Sequence, residues 1–471
     1  MNQALSGIVL AAGFGTRMKS RSTPKVLFPL LGRPLLAYPV GLLAELGCRQ
    51  IVVVVGNGAE QVKAAFPSPS VPPRDARQAP GSPFGGASVP SITWALQDPP
   101  RGTGDATRIG LRALSETTGP VVILNGDLPL LRRATLQALI DDHRDHGAAL
   151  TLLTLDLVEP RGYGRVVRTD DGDVGAIVED ADATPVQRAI REVNGGVYIA
   201  DPTALAVGLE HLMAAGADNA QGEFYLPPVL HPIRAAGGVV RGWKLPSGQI
   251  DELQQVNDRV ELAKASSLRK AILIEEHQRR GVTIVDPATT YIEEDVEIGI
   301  DTVIHPHTTI VRGVRIGAGC AVGPAAHLRE GTVLHDGAEI GNFTEVKNTV
   351  LGAGAKAKHL SYLGDGIVGK GANIGAGTIF ANYDGKAKHT TRIGEHAFVG
   401  SGTVFVAPAV LGDGASTGAG AVVKRGTEVP AGETVVGVPA RPLTRRVADG
   451  NVEPENVSRS DAPTAAEPRP E

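Results

Sequence analysis

A run of small residues near the amino terminus has the composition of a phosphate-binding segment. Residues 10–18 read LAAGFGTRM and directly continue the apolar run GIVL of residues 7–10. Because glycine and alanine carry little or no side chain, the backbone N–H groups of such a segment can approach a phosphate closely. Arg17 follows the two glycines and Lys25 lies shortly after, so two cations can neutralise a triphosphate that would otherwise repel an incoming anion. The segment therefore predicts a nucleotide or phosphate site.

The elements that must position this segment are strands of a parallel sheet. Short β-branched runs alternate with helix-like stretches, which is typical of a sheet covered by helices. The clearest strands are GIVLAAG (7–13), IVVVVG (51–56) and VVILNGD (121–127), each ending in Gly or Asp where such a sheet presents its ligand-facing edge. Residues 67–90 hold seven prolines and little to bury, which indicates a flexible surface insertion. Charged and apolar residues at helical spacing predict a linker helix over 253–280.

Composition and charge exclude several classes of protein. The 471 residues carry 46 Lys and Arg against 51 Asp and Glu, a net charge of −5, which argues against a nucleic-acid surface built on bulk positive charge. The only two cysteines, Cys48 and Cys320, lie far apart, so neither a disulfide framework nor a cysteine zinc cluster is expected. The amino terminus lacks a basic region, and no apolar run is long enough to span a bilayer. We expect a cytoplasmic protein that acts on small molecules, without nucleic-acid or membrane partners.

Beyond Gly281 the apolar residues recur with a period of six. The phase slips near Gly352 and resumes at Val368. This period fits short strands separated by tight corners, with one apolar residue per side pointing into a narrow core. It predicts a parallel β-helix over 281–446, whereas the apolar-poor tail 447–471 is expected to be disordered. The unbroken first series is Ile292, Ile298, Ile304, Ile310, Ile316, Val322, Leu328, Leu334, Ile340 and Val346.

The string LAAGxGTRM, followed by PKVL, resembles the signature of the sugar-1-phosphate nucleotidyltransferases. The resemblance implies a Rossmann-like α/β domain over residues 1–252, with Arg17 and Lys25 as catalytic cations. It also implies a Mg²⁺ ion held by Asp127 and Asn257 and completed by substrate phosphates and water. Asn125 stands where this family usually has tyrosine. The residues implied for binding UTP and the nucleotide sugar are Leu10, Ala11, Ala12, Gly13, Lys25, Gln97, Gly102, Thr103, Gly164, Glu179, Asn194 and Asn257.

The six-residue repeat resembles the hexapeptide pattern of left-handed parallel β-helices, which implies that handedness and a closed homotrimer. Within it, GNFTEVK, KHLSYLGD, NIGAGTIFANYDG and FVGSGT resemble the acetyltransferase domain of the bifunctional N-acetylglucosamine-1-phosphate uridylyltransferase/glucosamine-1-phosphate acetyltransferase family. The resemblance to this family covers about residues 5–440 in one order, except residues 67–90. The resemblance implies that His359 is the base that takes a proton from the attacking amine. The residues implied for binding glucosamine 1-phosphate are Arg329, Lys347, Tyr362, Asn373 and Lys388. Those implied for acetyl-CoA are Ala376, Asn382, Tyr383, Ser401 and Ala419.

The expected function is a pair of consecutive transfers. Acetyl-CoA would acetylate glucosamine 1-phosphate, and UTP would then convert the product into UDP-N-acetylglucosamine with release of pyrophosphate. One alternative is a nucleotidyltransferase for another sugar 1-phosphate whose β-helix serves only for assembly. Another is a non-catalytic scaffold that binds nucleotide sugars. Intact Arg17, Lys25, Asp127 and Asn257 count against the scaffold, and His359 with its polar neighbours counts against a β-helix used only for assembly.

Overall fold

The computed structural model describes residues 4–13, 15–66, 91–115, 119–217, 219 and 222–442. The predicted insertion at 67–90 and the predicted tail at 447–471 lie outside these residues. In the described ranges no helix is both long and apolar enough to cross a membrane.

The amino-terminal part is built on a nine-stranded sheet with the order β11-β7-β10-β6-β1-β4-β5, to which β8 and β9 are added through β10. The predicted strands near the amino terminus, at 51–56 and at 121–127 are β1, β4 and β6, and β1 pairs in parallel with both of the others. The strand bounds are β1 Ser6–Ala11, β2 Pro29–Leu30, β3 Arg33–Pro34, β4 Gln50–Val55, β5 Ser91–Leu96, β6 Val121–Asn125, β7 Leu150–Asp156, β8 Arg165–Arg168, β9 Val174–Val178, β10 Glu192–Ala200 and β11 Val240–Lys244. The chain continues from β1 to β4 and β5 on one side, whereas β6 lies on the other side of β1. The carboxyl end of β1 therefore lies where the chain order of the sheet reverses, the usual place for a ligand.

Helices cover both faces of this sheet. One face buries residues of α1 and α4, such as Leu43 and Leu139, and the other buries residues of α6 and α7, such as Leu209 and Ile233. The α-helices are α1 Ala37–Glu45, α2 Ala59–Ala65, α3 Thr103–Arg112, α4 Arg133–Asp145, α5 Pro185–Arg188, α6 Pro202–Ala215, α7 Leu230–Ala235 and α8 Arg259–Arg279. Short 3-10 helices span Thr16–Met18, Lys25–Leu27, Pro227–Val229 and Ser247–Leu253.

The predicted linker helix begins later than the sequence pattern indicates. The 253–280 prediction is wrong at its start, because α8 begins at Arg259. The Asp258 carboxylate caps the helix by accepting hydrogen bonds from the backbone N–H groups of Val260 and Glu261. Residues 254–258 therefore stay outside the helix, and Asn257 is left free to face the sheet.

The carboxyl-terminal part is a left-handed parallel β-helix. Its strands belong in turn to three sheets, so that each strand from β12 to β33 pairs in parallel with the third strand after it. The strand bounds are β12 Thr283–Ile284, β13 Tyr291–Ile292, β14 Glu297–Ile298, β15 Val303–Ile304, β16 Thr309–Ile310, β17 Arg315–Ile316, β18 Ala321–Val322, β19 His327–Leu328, β20 Val333–Leu334, β21 Glu339–Asn342, β22 Glu345–Lys347, β23 Val350–Leu351, β24 Lys356–His359, β25 Tyr362–Gly364, β26 Gly366–Val368, β27 Asn373–Ile374, β28 Ile379–Ala381, β29 Thr391–Ile393, β30 Phe398–Val399, β31 Val404–Val406, β32 Ala409–Leu411, β33 Ser416–Thr417, β34 Val422–Val423, β35 Glu428–Val429, β36 Thr434–Val436 and β37 Arg441–Pro442. The inward apolar residues form one continuous core.

The phase slip in the repeat is two shortened corners rather than a break in the core. Leu351, Ala357 and Leu363 are all fully buried, so the core continues between Val346 and Val368, where the period of six is interrupted. Each shortened corner contains a residue with positive φ, Asn348 at 46° and Asp365 at 52°. Asparagine and aspartate tolerate this left-handed conformation better than most residues. The Asn348 amide also donates to the Asp365 carboxylate at 2.6 Å, which ties the two corners together.

Candidate active sites

A cavity of about 320 Å³ opens at the carboxyl ends of β1 and β6. The backbone of residues 10–13 forms one wall, and Lys25, at the start of a 3-10 helix, reaches in from another. The structure brings ten of the residues predicted for nucleotide and metal binding to this cavity. They are Leu10, Ala11, Ala12, Gly13, Lys25, Gln97, Gly102, Thr103, Asp127 and Asn257.

The predicted cations and oxygen ligands contact one another. Lys25 Nζ lies 2.5 Å from Asp127 Oδ2 and donates to Asn257 Oδ1 at 3.1 Å. Arg17 Nη2 donates to the same Asn257 oxygen at 3.1 Å from a more exposed position. Lys25 thus neutralises Asp127, and both cations are held where phosphate oxygens could replace these protein partners.

The oxygen atoms at this point fit a divalent cation. Asp127 is 7% exposed, and its Oδ1 is buried without any hydrogen-bond partner among the described residues. A buried oxygen without a donor carries a desolvation cost that a hard cation removes. The described residues contain no group of three or more His, Cys, Asp or Glu side chains that could hold a metal. One carboxylate and the nearby Asn257 amide oxygen therefore match a Mg²⁺ ion that takes its other ligands from phosphates and water.

The far end of the cavity is formed by Gln97 and the start of α3. Gln97 is 2% exposed, and its side-chain nitrogen donates to the Gly102 carbonyl and to Asp105 Oδ2, both at 3.0 Å. Gly102 has a φ of +103°, and a Cβ there would lie 2.6 Å from the Phe224 carbonyl oxygen. Only glycine meets both conditions without strain.

A second cavity of about 160 Å³ adjoins the first. It contains the predicted sugar-binding residues Gly164, Glu179 and Asn194, and it shares Asn125 and Gln255 with the first cavity. The Asn194 amide donates to the Tyr198 hydroxyl at 2.5 Å and accepts from the Gly196 N–H at 3.1 Å, so its orientation is fixed. Burial, reinforced by the neighbouring acids Asp182 and Asp180, raises the pKa of Glu179.

A separate group of polar residues lies on the β-helix, where three predicted cations meet. The side-chain contact of Lys347 with Lys388, together with the charge of Arg329, lowers the pKa of Lys347. Arg329 is also held by Glu345, with Nη1 at 2.6 Å from Oε1. Lys347 is repelled by both Lys388 and Arg329, and a bound phosphate would relieve this repulsion, so the place suits an anion.

His359, at the end of β24, lies in one column with the predicted acetyl-CoA residues. The Gly377 N–H donates to the His359 carbonyl at 3.4 Å and the Gly402 N–H donates to the Ala376 carbonyl at 2.7 Å. One coil further on, the N–H of Gly420, the residue after Ala419, donates to the Ser401 carbonyl at 2.8 Å. The column therefore holds one residue on each of four successive coils, namely His359, Ala376, Ser401 and Ala419. Its length is three coil spacings, about 14 Å at ~4.8 Å per spacing. Small side chains along this column leave room for a narrow, extended ligand.

The remaining predicted residues are arranged less uniformly. The Tyr362 hydroxyl and the Asn382 amide both lie over Gly364, each 2.7 Å from where a Cβ would stand. Tyr383 is bridged through its backbone to Lys388, in a loop held by an Asp384–Arg425 ion pair of 2.6 Å. Asn373 lies in register with Lys356 and Phe398. In the described part of the chain no hydrogen bond joins Asn373 to His359 or to the three cations.

Comparisons with known proteins identify a transferase domain in the amino-terminal part and hexapeptide repeats in the carboxyl-terminal part. The family model of a MobA-like NTP transferase domain matches residues 7–169, and that of the bacterial transferase hexapeptide (six repeats) matches residues 390–425. The bifunctional protein GlmU of Mycolicibacterium vanbaalenii is 44% identical, with 91% of this chain and 89% of that protein covered. The same protein of Mycolicibacterium paratuberculosis is 43% identical (91% and 90%), and that of Corynebacterium aurimucosum is 41% identical (92% and 91%). The chain belongs to the GlmU family of bifunctional proteins.

Two functional candidates of this GlmU-family chain are not among the residues predicted from the sequence, although Asn342 lies within the motif GNFTEVK. Asn342 Oδ1 lies 3.0 Å from His359 Nδ1, in register one coil earlier. An amide oxygen can only accept a hydrogen bond, so Nδ1 carries the proton and Nε2 keeps the lone pair that a base needs. Gln255 lines both amino-terminal cavities, although it lies only two residues before the predicted ligand Asn257.

The asparagine at position 125 also has a place in the GlmU-family site. It ends β6 and lines both cavities, at the border between the nucleotide and sugar ends. Its amide nitrogen stands 2.6 Å from where a Cβ on Gly196 would lie, and Gly196 has a φ of +73°. Asn125 thus packs into the space that this glycine leaves.

Proposed function

We propose that the amino-terminal cavities, on residues 1–252 with Gln255 and Asn257 added, carry out uridylyl transfer, and that the His359 column, on residues 281–446, carries out acetyl transfer. The chain is a bifunctional enzyme of UDP-N-acetylglucosamine synthesis. Acetyl-CoA acetylates glucosamine 1-phosphate, and UTP then reacts with the resulting N-acetylglucosamine 1-phosphate and releases pyrophosphate. The observation that carries this assignment is that one chain holds two sets of polar residues, Lys25 and Asp127 in the amino-terminal cavity and, on the β-helix, His359 and the three cations.

Uridylyl transfer requires alignment and charge neutralisation more than covalent help from the protein. An oxygen of the sugar phosphate, in the cavity of Glu179 and Asn194, attacks the α-phosphorus of UTP, and the bond to pyrophosphate breaks. Arg17 and Lys25 exchange their bonds to Asn257 and Asp127 for phosphate oxygens and stabilise the developing charge. Mg²⁺ held by Asp127 and Asn257 would supply further neutralisation of the phosphates.

Acetyl transfer requires a base that removes a proton from the sugar ammonium group. His359 Nε2 takes this proton, because Nδ1 is occupied by Asn342. The neutral amine then attacks the thioester carbonyl, and an amide bond forms as the carbon–sulfur bond breaks. The second proton lost by the nitrogen goes to the sulfur, so coenzyme A leaves as the thiol. Arg329, Lys347 and Lys388 hold the phosphate of the substrate, and the column from Ala376 to Ala419 holds the pantetheine arm.

The test is an assay of the purified chain with glucosamine 1-phosphate, acetyl-CoA, UTP and Mg²⁺ that follows thiol and pyrophosphate separately. We expect His359→Ala to lose thiol release while it still forms pyrophosphate from supplied N-acetylglucosamine 1-phosphate. We expect Arg17→Ala to lose pyrophosphate formation while it still releases thiol from acetyl-CoA. The exposed residues His335 and Arg21 supply matched control variants, His335→Ala and Arg21→Ala, that keep both activities. Loss of both activities in either of the two soluble site variants would refute the two-site assignment.

A homotrimer in the cytoplasm completes the proposal. Large apolar side chains stand exposed on the β-helix, with Phe343 62%, Leu360 60% and Phe398 54% exposed, and a second subunit would cover them. Leu360 follows His359 directly, so a neighbour packed there would also close the acetyl-transfer site. Both cysteines are buried and unpaired, which suits a reducing compartment. Light scattering should give three times 48.9 kDa, and Leu360→Glu should lower that mass.

A further inference from the structure

Asp105 is a buried charge that the proposed reaction does not use. It lies in the first turn of α3, it is 1% exposed, and its carboxylate has three side-chain partners. Oδ1 accepts from Arg108 Nη2 at 2.7 Å and from Arg101 Nη2 at 3.1 Å, while Oδ2 accepts from Gln97 Nε2 at 3.0 Å. A buried carboxylate is costly unless it is fully paired, so this arrangement needs a reason.

The two arginines keep Asp105 in its charged form. Burial alone would raise the pKa of Asp105, but the hydrogen bonds from Arg108, Gln97 and Arg101 outweigh it and bring the pKa below its usual value. An ionised carboxylate has no proton to donate. The atom facing Gln97 is therefore an acceptor under all ordinary conditions.

This acceptor determines which end of the Gln97 amide enters the cavity. The Gly102 carbonyl is a second acceptor at 3.0 Å from the same nitrogen, so both amide protons of Gln97 are used inside the protein. Rotating the amide by 180° would set its oxygen against two acceptors. Oε1 accepts no hydrogen bond from the described residues, and it is the atom left for a ligand in the cavity that Gln97 lines.

We propose that Asp105 is a positioning residue that selects the base of the nucleotide by fixing the Gln97 amide with its oxygen toward the ligand. The inference rests on the proposed uridylyl transfer. An oxygen at this place accepts the N3–H of uracil, whereas cytosine presents an unprotonated N3 that it repels. Selection between bases of equal size thus depends on a residue that never touches the base. A buried acceptor left facing another acceptor is strongly disfavoured, which is the kind of contact that gives large discrimination.

The test compares UTP with CTP as substrates of the full-length chain and of Asp105→Asn. In this variant the oxygen can stay with the two arginines, and the amide nitrogen then faces Gln97, so the two Gln97 orientations become closer in energy. We expect the ratio of kcat/KM for UTP to that for CTP to fall by about tenfold or more. The matched control is Asp98→Asn, which removes the same charge from an exposed position next to Gln97 and should leave the ratio unchanged.

The ratio of kcat/KM for UTP to that for CTP distinguishes a positioning role of Asp105 from a merely structural one. A general loosening of the fold would lower turnover of both nucleotides together, and acetyl transfer by the same protein reports independently on folding. If Asp105→Asn is poorly soluble, Asp105→Ser decides, because a hydroxyl can pair with either orientation of the Gln97 amide and should also lower the ratio. An unchanged ratio in the soluble variant overturns the inference while the proposed function stands. Absence of UTP turnover in the unmodified chain overturns the proposed function and this inference with it.

Discussion

The contact between Asn342 and His359 allows a quantitative prediction for acetyl transfer. Asn342→Ala removes the acceptor 3.0 Å from Nδ1 and leaves the imidazole free to rotate and to change tautomer. A neutral hydrogen bond contributes about 0.5–1.5 kcal/mol net, so the ratio of competent to incompetent His359 should fall about 2- to 13-fold. Removal of the imidazole itself should cost far more, about 10²–10⁴-fold.

The assay is thiol release at saturating acetyl-CoA and glucosamine 1-phosphate, with pyrophosphate release by the same sample as the folding control. Asn342→Asp should restore kcat to at least the unmodified value, because a carboxylate can only accept from Nδ1 and also stabilises the imidazolium that forms. The reasoning is refuted if Asn342→Ala loses as much activity as His359→Ala. It is equally refuted if Asn342→Asp is no better than Asn342→Ala.

Three further changes test other parts of the structure. Asp127→Asn should lower pyrophosphate release by about 100-fold or more at low Mg²⁺ and raise the Mg²⁺ concentration needed for half-maximal activity, without affecting thiol release, because the buried carboxylate is the charged oxygen ligand; an unchanged Mg²⁺ concentration for half-maximal activity would contradict the assignment. Gly102→Ala should destabilise the chain by about 1–3 kcal/mol in denaturant unfolding, since φ is +103° and a Cβ would lie 2.6 Å from the Phe224 oxygen. Burial lowers the pKa of His143 to about 4, so between pH ~6.5 and 4 the unfolded chain binds the proton first and stability is lost as the pH falls. From pH 7.5 to 5 the unmodified chain should lose on the order of 1–2 kcal/mol more unfolding free energy than His143→Gln, and equal losses would contradict this.

The sequence predicts the elements whose residues follow a local rule. The period of six from Ile292 to Val346 specifies the β-helix, because each side of a coil contributes one inward apolar residue. The strands β1, β4 and β6 follow from β-branched runs in the same way. The cavity residues around Lys25 and Asp127 are predicted from the resemblance of their motifs to those of the sugar-1-phosphate nucleotidyltransferases, and Asp127 also ends the predicted strand 121–127.

The residues that escape prediction depend on neighbours distant in the chain. Asn342 reaches His359 only because the shortened corner at Asn348 places position 359, rather than 360, beside it. Asp105 has the sequence context of an ordinary helix start, and its role depends on Gln97, eight residues earlier and on the far side of a turn. The start of α8 is missed for a different reason. Residues 253–258 have helical spacing of charged and apolar residues, but the side chain of Asp258 satisfies the backbone N–H groups that a longer helix would use.

The coils below the acetyl-transfer site act as a spacer of fixed increment. From the pair of Tyr291 with Thr309 to the pair of His327 with Glu345, each coil pairs with the next through residues 18 positions apart, as Val303 pairs with Ala321. Each coil contacts only its neighbours, so a duplicated stretch of 18 residues inserted after Cys320 would find the same pairing above and below it. Such a chain would carry its acetyl-transfer site about 4.8 Å further from the nucleotide cavity, with neither site altered. The distance between the nucleotide cavity and the acetyl-transfer site is therefore set by the number of coils, which gene duplication can change by one coil at a time.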